Sequence, residues 1–137
     1  MTTNHNIELE RTNPDYDHLI AFLQERFDEN LRWVASFDTA TYRYDVRYIR
    51  SDLTTELSSH DLDAVIHRSI GMFKRPDVEQ VYTHLGDVES LILHHERATA
   101  VHVYLGDTEG LVVKIKAGNE ISVPGFIEEC LGALYPV

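Results

Sequence analysis

Between Leu91 and Ile115 the apolar residues recur at every second position, whereas on either side of that stretch they recur at helical spacing. Leu91 and Leu93 alternate with Ser90, Ile92 and His94; Val101, Val103 and Leu105 alternate with Ala100, His102 and Tyr104; Leu111, Val113 and Ile115 follow the same rhythm around Lys114 and Lys116. A period of two belongs to strands. The spacing therefore predicts a three-stranded meander, turning around His95-Glu96-Arg97 and around the segment from Gly106 to Gly110. Keeping Leu91 and Leu93 on the face of Val101 and Val103 requires a pairing such as His94 opposite Ala98, across a three-residue loop.

The flanks read as helices. Asn13-Pro14-Asp15 has the form of a helix start, with Asn13 as cap, and Tyr16, Leu19, Ile20, Leu23, Phe27, Leu31 and Val34 continue one stripe to an expected end near Ala35 or Ser36. A strand follows over 41–49, its aromatic face made of Tyr42, Tyr44 and Tyr48 with Val46, its other face charged. Ser58-Ser59-His60-Asp61 is a capping box for a second helix carrying Leu62, Val65, Ile66 and Phe73. Pro76 restarts the chain for a short helix through Val78, Val81, Tyr82 and Leu85, stopped by Gly86. Ser122 is the candidate cap of a last helix bearing Phe126, Ile127, Cys130, Leu131 and Leu134. The expected fold class is α+β: a mainly antiparallel sheet of about four strands, packed with N-terminal, middle and C-terminal helices. Residues 1–12 are expected to form a flexible arm and residues 13–137 a single domain.

Composition narrows the setting. Asp and Glu total 23 against 12 Lys and Arg, a net charge of -11, and lysine supplies only Lys74, Lys114 and Lys116 of the cations. Such a balance suits a cytoplasm of high salt, where screening suppresses self-repulsion, and composition alone fits an acidic mesophilic protein about as well. It disfavours direct binding to nucleic acid, which calls for cations facing phosphates. A lone cysteine forms no internal disulfide, and no apolar run is long enough for a membrane span. The polar first residues lack the apolar stretch of a signal peptide, so a cytoplasmic location is expected.

The segment Tyr44-Asp45-Val46-Arg47-Tyr48-Ile49-Arg50-Ser51-Asp52-Leu53 resembles a group of small haloarchaeal proteins of unknown function, and the similarity extends over roughly residues 14–135. The resemblance implies a halophilic cytoplasmic α+β domain and brings no activity with it. The order of elements also resembles roadblock or longin regulatory modules, which place a sheet between helices. It departs from roadblock in one respect, a single strand where that fold has a hairpin between the first two helices. This second resemblance concerns fold alone.

Chemistry is sparse. Eight histidines invite a metal site, yet no HExxH or paired CxxC spacing gathers them, and His94 and His95 point to opposite faces of a strand. His94 and His102 share a face in the expected register. Cys130 falls on an apolar helix stripe, where cysteine is a small core residue and not a nucleophile. No G-x-S-x-G elbow or phosphate-cradling glycine loop occurs. No catalytic residue, metal ligand or cofactor is therefore assigned. What remains is Arg43, Tyr44, Arg47, Tyr48 and Arg50, since arginine forks beside tyrosines suit a ligand or a protein partner. The expected function is a non-enzymatic interaction or regulatory module acting as a homodimer, presenting either the Tyr42–Tyr48 strand or the outer side of the first helix at Phe22. A small-molecule or metal-binding sensor is the alternative, and a small enzyme is the least favoured class.

Overall fold

In the computed structural model, which describes residues 13–56 and 58–137, the elements run α1 (Tyr16–Phe27), β1 (Leu31–Asp38), β2 (Arg43–Ile49), α2 (Leu53–Glu56), α3 (Ser59–Met72), α4 (Arg75–Glu79), β3 (Ser90–His94), β4 (Ala98–Tyr104), β5 (Glu109–Lys116) and α5 (Gly125–Leu134). The expected arm at 1–12 lies outside the described residues. The chain divides into two compact units, one containing α1 and α5 and the other spanning Glu29–Asn119.

In the first unit, α1 is capped by Asp15 and not by Asn13: the Asp15 carboxylate accepts the His18 N–H at 3.0 Å. It ends at Phe27, short of the expected Ala35, because Asp28 takes a φ of 51° that a helix cannot continue. Leu19, Leu23 and Phe27 are buried on α1, as are Phe126, Ile127, Cys130 and Leu134 on α5. Phe27 and Phe126 meet edge-on with centroids 5.7 Å apart. The Arg26 guanidinium covers the Phe126 ring at 5.1 Å and pairs with Glu129 at 2.8 Å. Ser122 does not cap α5 with its side chain; the cap residue is Pro124, and Ser122 supplies a backbone carbonyl to Phe126 N–H.

The second unit holds a five-stranded sheet in the order β2-β1-β5-β4-β3, with antiparallel pairing throughout. The fifth strand is β1, which occupies residues expected to extend the first helix. Leu31, Trp33, Val34, Ala35 and Phe37 are all buried there, so both faces of β1 are apolar and the period-two signal vanishes. Its presence makes β1–β2 a hairpin between the first two long helices, where a single strand was expected.

The meander also pairs differently. His94 stands opposite Thr99, not Ala98, and Leu91 and Leu93 face His102 and Ala100. They therefore share a face with His102, away from Val101 and Val103, while His94 lies on the opposite face from His102. The expected pairing assumed one apolar face, but β4 is buried along its whole length.

One face of the sheet receives α3. Leu62, Ile66 and Ile70, spaced by four, pack with Trp33, Ala35, Phe37, Ala100, Val112 and Leu53. The start of α3 is the expected capping box, with Ser58 accepting from Asp61 N–H at 3.1 Å and Asp61 accepting from Ser58 N–H. The short helix α4 gives way to a 3-10 turn at Gln80–Tyr82, and the expected stripe there is not buried: Val81, Tyr82 and Leu85 are 68%, 68% and 77% exposed.

Candidate interaction surface

β2 lies at one edge of the sheet, and its register breaks. Val34 pairs with Tyr48, but the next residue, Ala35, pairs with Val46, so Arg47 is an extra residue in the strand. The bulge reverses the alternation. Tyr44 and Val46 share the α3-facing side with Phe37 and Ala35, whereas Tyr48 stands on the other side with Val34. The expected continuous aromatic face is thus divided between the two sides of the sheet. Tyr42 falls outside the strand, in the turn, with a φ of 57°.

Each of the five arginine and tyrosine residues has a distinct place. Tyr44 packs against the core, donates its hydroxyl to Asp63 at 2.8 Å and sits edge-on to His67. Burial, and then the Asp63 carboxylate, raise the Tyr44 pKa above its ordinary value. His67 bridges, with Nδ1 at 3.3 Å from Asp63 and Nε2 at 3.1 Å from the Tyr42 carbonyl, tying α3 to the hairpin turn. Arg47 donates to Ser36 Oγ at 2.9 Å and reaches Asp45 at 3.5 Å. Tyr48 is half-buried, and Arg43 is exposed at the start of β2. Arg50 donates through Nε and Nη2 to both oxygens of Asp52 and through Nη1 to the Glu29 carbonyl. That fork holds the Asp52 carboxyl below its usual range.

These contacts bring Tyr44 together with Asp63 and His67, but they do not gather the arginines and tyrosines into one pocket. Arg50 and Tyr44 hold local structure; Arg43 and Arg47 lie on the exposed edge. The opposite edge, β3, is different in kind. Ser90-Leu91-Ile92-Leu93 carries no charge, pairs with β4 without a register break and is half-buried.

Sequence reasoning did not mark three bases as buried or half-buried. His102 is 2% exposed between Phe37 and Phe73, its Nδ1 without a hydrogen-bond partner among the described residues. Burial, with the Lys114 charge adding to it, pushes its pKa down to about 4. Lys114 and Arg32 are half-buried on neighbouring strands. Only one signal could have marked them, a charged or polar residue inside an otherwise apolar strand. Cys130 is fully buried, and burial pushes its thiol up to about 12, far from a nucleophile at neutral pH. Among the described residues no three His, Cys, Asp or Glu side chains converge on a metal position. No helix among them is long and apolar enough to cross a membrane. In the first unit, Phe22 is half-buried in a groove with His18, Glu25 and Glu129 and so is not fully presented outward.

The profile of a family described as a domain of unknown function (DUF7522) matches residues 17–135. No curated protein matches the sequence. Among solved structures, an MglB described with a tetrameric arrangement aligns with a TM-score of 0.58 at 16% identity, covering 88% of this chain and 87% of that one. Myxococcus xanthus MglB aligns with a TM-score of 0.56 at 11% identity, over 87% and 86% of the two chains. A roadblock/LC7 domain from Streptomyces avermitilis gives 0.55 at 12% identity, over 85% of each. At such identities the likeness establishes the fold, which is roadblock-like, including the β1–β2 hairpin that the sequence had not shown.

Proposed function

We propose that this chain, which belongs to the DUF7522 family, is a non-enzymatic regulatory module that acts through protein contacts as a homodimer in a halophilic cytoplasm. The roadblock-like likeness runs over 88% of the chain, which supports residues 13–137 working as one domain. That one such structure is described in a tetrameric arrangement supports self-association on this framework.

The observation that carries the reading is the contrast between the two sheet edges. An exposed strand edge is a template for pairing unless charge or a bulge blunts it. β2 has both protections, the extra Arg47 and the exposed Arg43 and Asp45. β3 has neither over Ser90–Leu93. We therefore assign self-association to β3, in place of the Tyr42–Tyr48 strand or Phe22. Arg43 and Arg47 remain on the charged edge for a protein partner. A twofold pairing through β3 would be isologous, each copy's strand meeting the other's.

Light scattering in molar KCl tests this reading. Wild type is expected as a dimer at tens of micromolar, Ile92→Lys on β3 as a monomer with its circular dichroism intact, and Val46→Lys on β2 as a dimer. A monomeric wild type would overturn the homodimer, and a dimer surviving Ile92→Lys but lost in Val46→Lys would return the interface to β2.

A further inference from the structure

The bases of this acidic chain are not evenly spread. Arg32 opens β1, Arg50 follows β2, Lys114 and Lys116 close β5, and Arg97 precedes β4, so antiparallel pairing collects all of them at one end of the sheet. At the other end Asp38 stands opposite Glu109.

Within the basic end, Arg32 and Lys114 are held close by the register. Lys114 pairs with Trp33, its ammonium 5.7 Å from the centre of the Trp33 ring. Pairing shifts between Leu31 and Trp33, which makes Arg32 the irregular residue of β1 beside that pair. Arg32 Nε is buried and has no hydrogen-bond partner among the described residues. Neither Arg32 nor Lys114 has a carboxylate within ion-pair distance among those residues. Asp52 is the nearby acid and its carboxyl feels the Arg32 charge, while its two oxygens accept from Arg50, whose Nη1 donates to the Glu29 carbonyl. Burial, and then the Arg32 charge, lower the Lys114 pKa. Two like charges kept partly out of water, with no carboxylate at ion-pair distance among the described residues, carry a cost that a bound anion would relieve.

We propose that Arg32 and Lys114, with Lys116 at the rim, bind a phosphate-class oxyanion. The guanidinium offers a planar fork suited to two oxygens of one anion, and the ammonium adds a point charge from the neighbouring strand. Trp33 is 3% exposed and walls the position with apolar surface. The site lies on β1 and β5, where the Arg50 N–H donates to the Arg32 carbonyl at 2.9 Å, and does not depend on pairing through β3.

Titration of the full chain with inorganic phosphate, pyrophosphate and adenosine monophosphate, at constant ionic strength set by KCl and followed by heteronuclear NMR, tests the assignment. Saturable shifts are expected at the Arg32, Trp33 and Lys114 amides and the Trp33 indole. Affinity is expected to fall at least about tenfold in Lys114→Met and in Arg32→Gln. Arg43→Gln, at the far end of the sheet, should bind as wild type. Should Arg32→Gln fail to fold, Arg32→Lys keeps the charge, removes the fork and should still weaken binding. Equal affinity for phosphate and the nucleotide identifies a free oxyanion as ligand, and tighter nucleotide binding an organic phosphate; both support the site. Unchanged spectra through the titration, or shifts that survive both substitutions, overturn it.

Discussion

At the scale of single residues, a histidine inside a fully buried strand makes folding depend on pH. His102 has aromatic neighbours, Phe37 and Phe73, and among the described residues burial and the Lys114 charge both disfavour its charged form. Its folded pKa is pushed down to about 4 from an ordinary 6.5. Between those values the unfolded chain takes up a proton that the folded protein refuses, so stability falls as pH drops. The contribution is fully present above pH ~6.5 and is lost progressively as the pH falls toward ~4, with a limiting size of roughly 3 kcal/mol. Replacing His102 by Leu, close in volume and unable to titrate, should flatten that limb. Melting curves at about pH 7 and pH 4.5 should show a smaller difference for His102→Leu than for wild type. An identical difference in the two proteins would mean that His102 is hydrated in the folded state.

At the scale of elements, α3 supplies the side chains that cover one face of the sheet, and its start depends on Ser58. Ser58→Ala removes the acceptor for Asp61 N–H, and a loss of about 1 kcal/mol is expected in chemical denaturation. Ser58→Asp, which restores an acceptor, should recover most of it. This helix was legible in the sequence because a local cap and a one-sided stripe of Leu62 and Ile66 coincide there. The five strands were only partly so. β1 hides its period, since Leu31 and Val34 continue the helical spacing of Leu23 and Phe27 while Trp33 and Phe37 bury the other face. The signal that stops α1 is the backbone of Asp28, which no side-chain pattern announces. Registers escaped for a related reason: Leu91 and Leu93 could pair in either register beside β4, which is buried along its whole length. The candidate site was the least legible part. Arg43, Tyr44, Arg47, Tyr48 and Arg50 are neighbours in sequence, but one extra residue at Arg47 sends Tyr44 and Tyr48 to opposite faces. Arg32 and Lys114 are distant in sequence and become neighbours only through the pairing of β1 with β5.

At the scale of the whole molecule, 23 acids face 12 bases, which leaves a net charge of -11 however the bases pair. Arg47, Arg50 and Arg75 pair with acids in their own segments, Asp45, Asp52 and Glu79, while Arg26 reaches Glu129. The partly exposed pairs Arg26–Glu129, Arg47–Asp45 and Arg50–Asp52 contribute ~0–1 kcal/mol each, so they offset little of the repulsion carried by the remaining carboxylates. That repulsion acts over the Debye length, ~30 Å at 0.01 M salt and ~3 Å at 1 M. Folding draws like charges together, so the melting temperature should rise from dilute buffer to molar KCl. Two processes could raise it, and the shape of the curve separates them. Screening weakens steeply at first and should deliver most of its effect below ~0.2 M, where the Debye length is already under 10 Å. Strengthened apolar burial by excluded salts instead continues to grow with concentration and is stronger for sulfate than for chloride. With a net charge of -11, an early steep rise is expected, followed by a shallower one. A charge-reduced variant at two exposed acids, Asp87→Asn with Asp107→Asn, should start higher in dilute buffer and converge on wild type in molar KCl. A melting temperature independent of KCl across that range would show that the acidic surplus costs the fold nothing and would remove the halophilic reading.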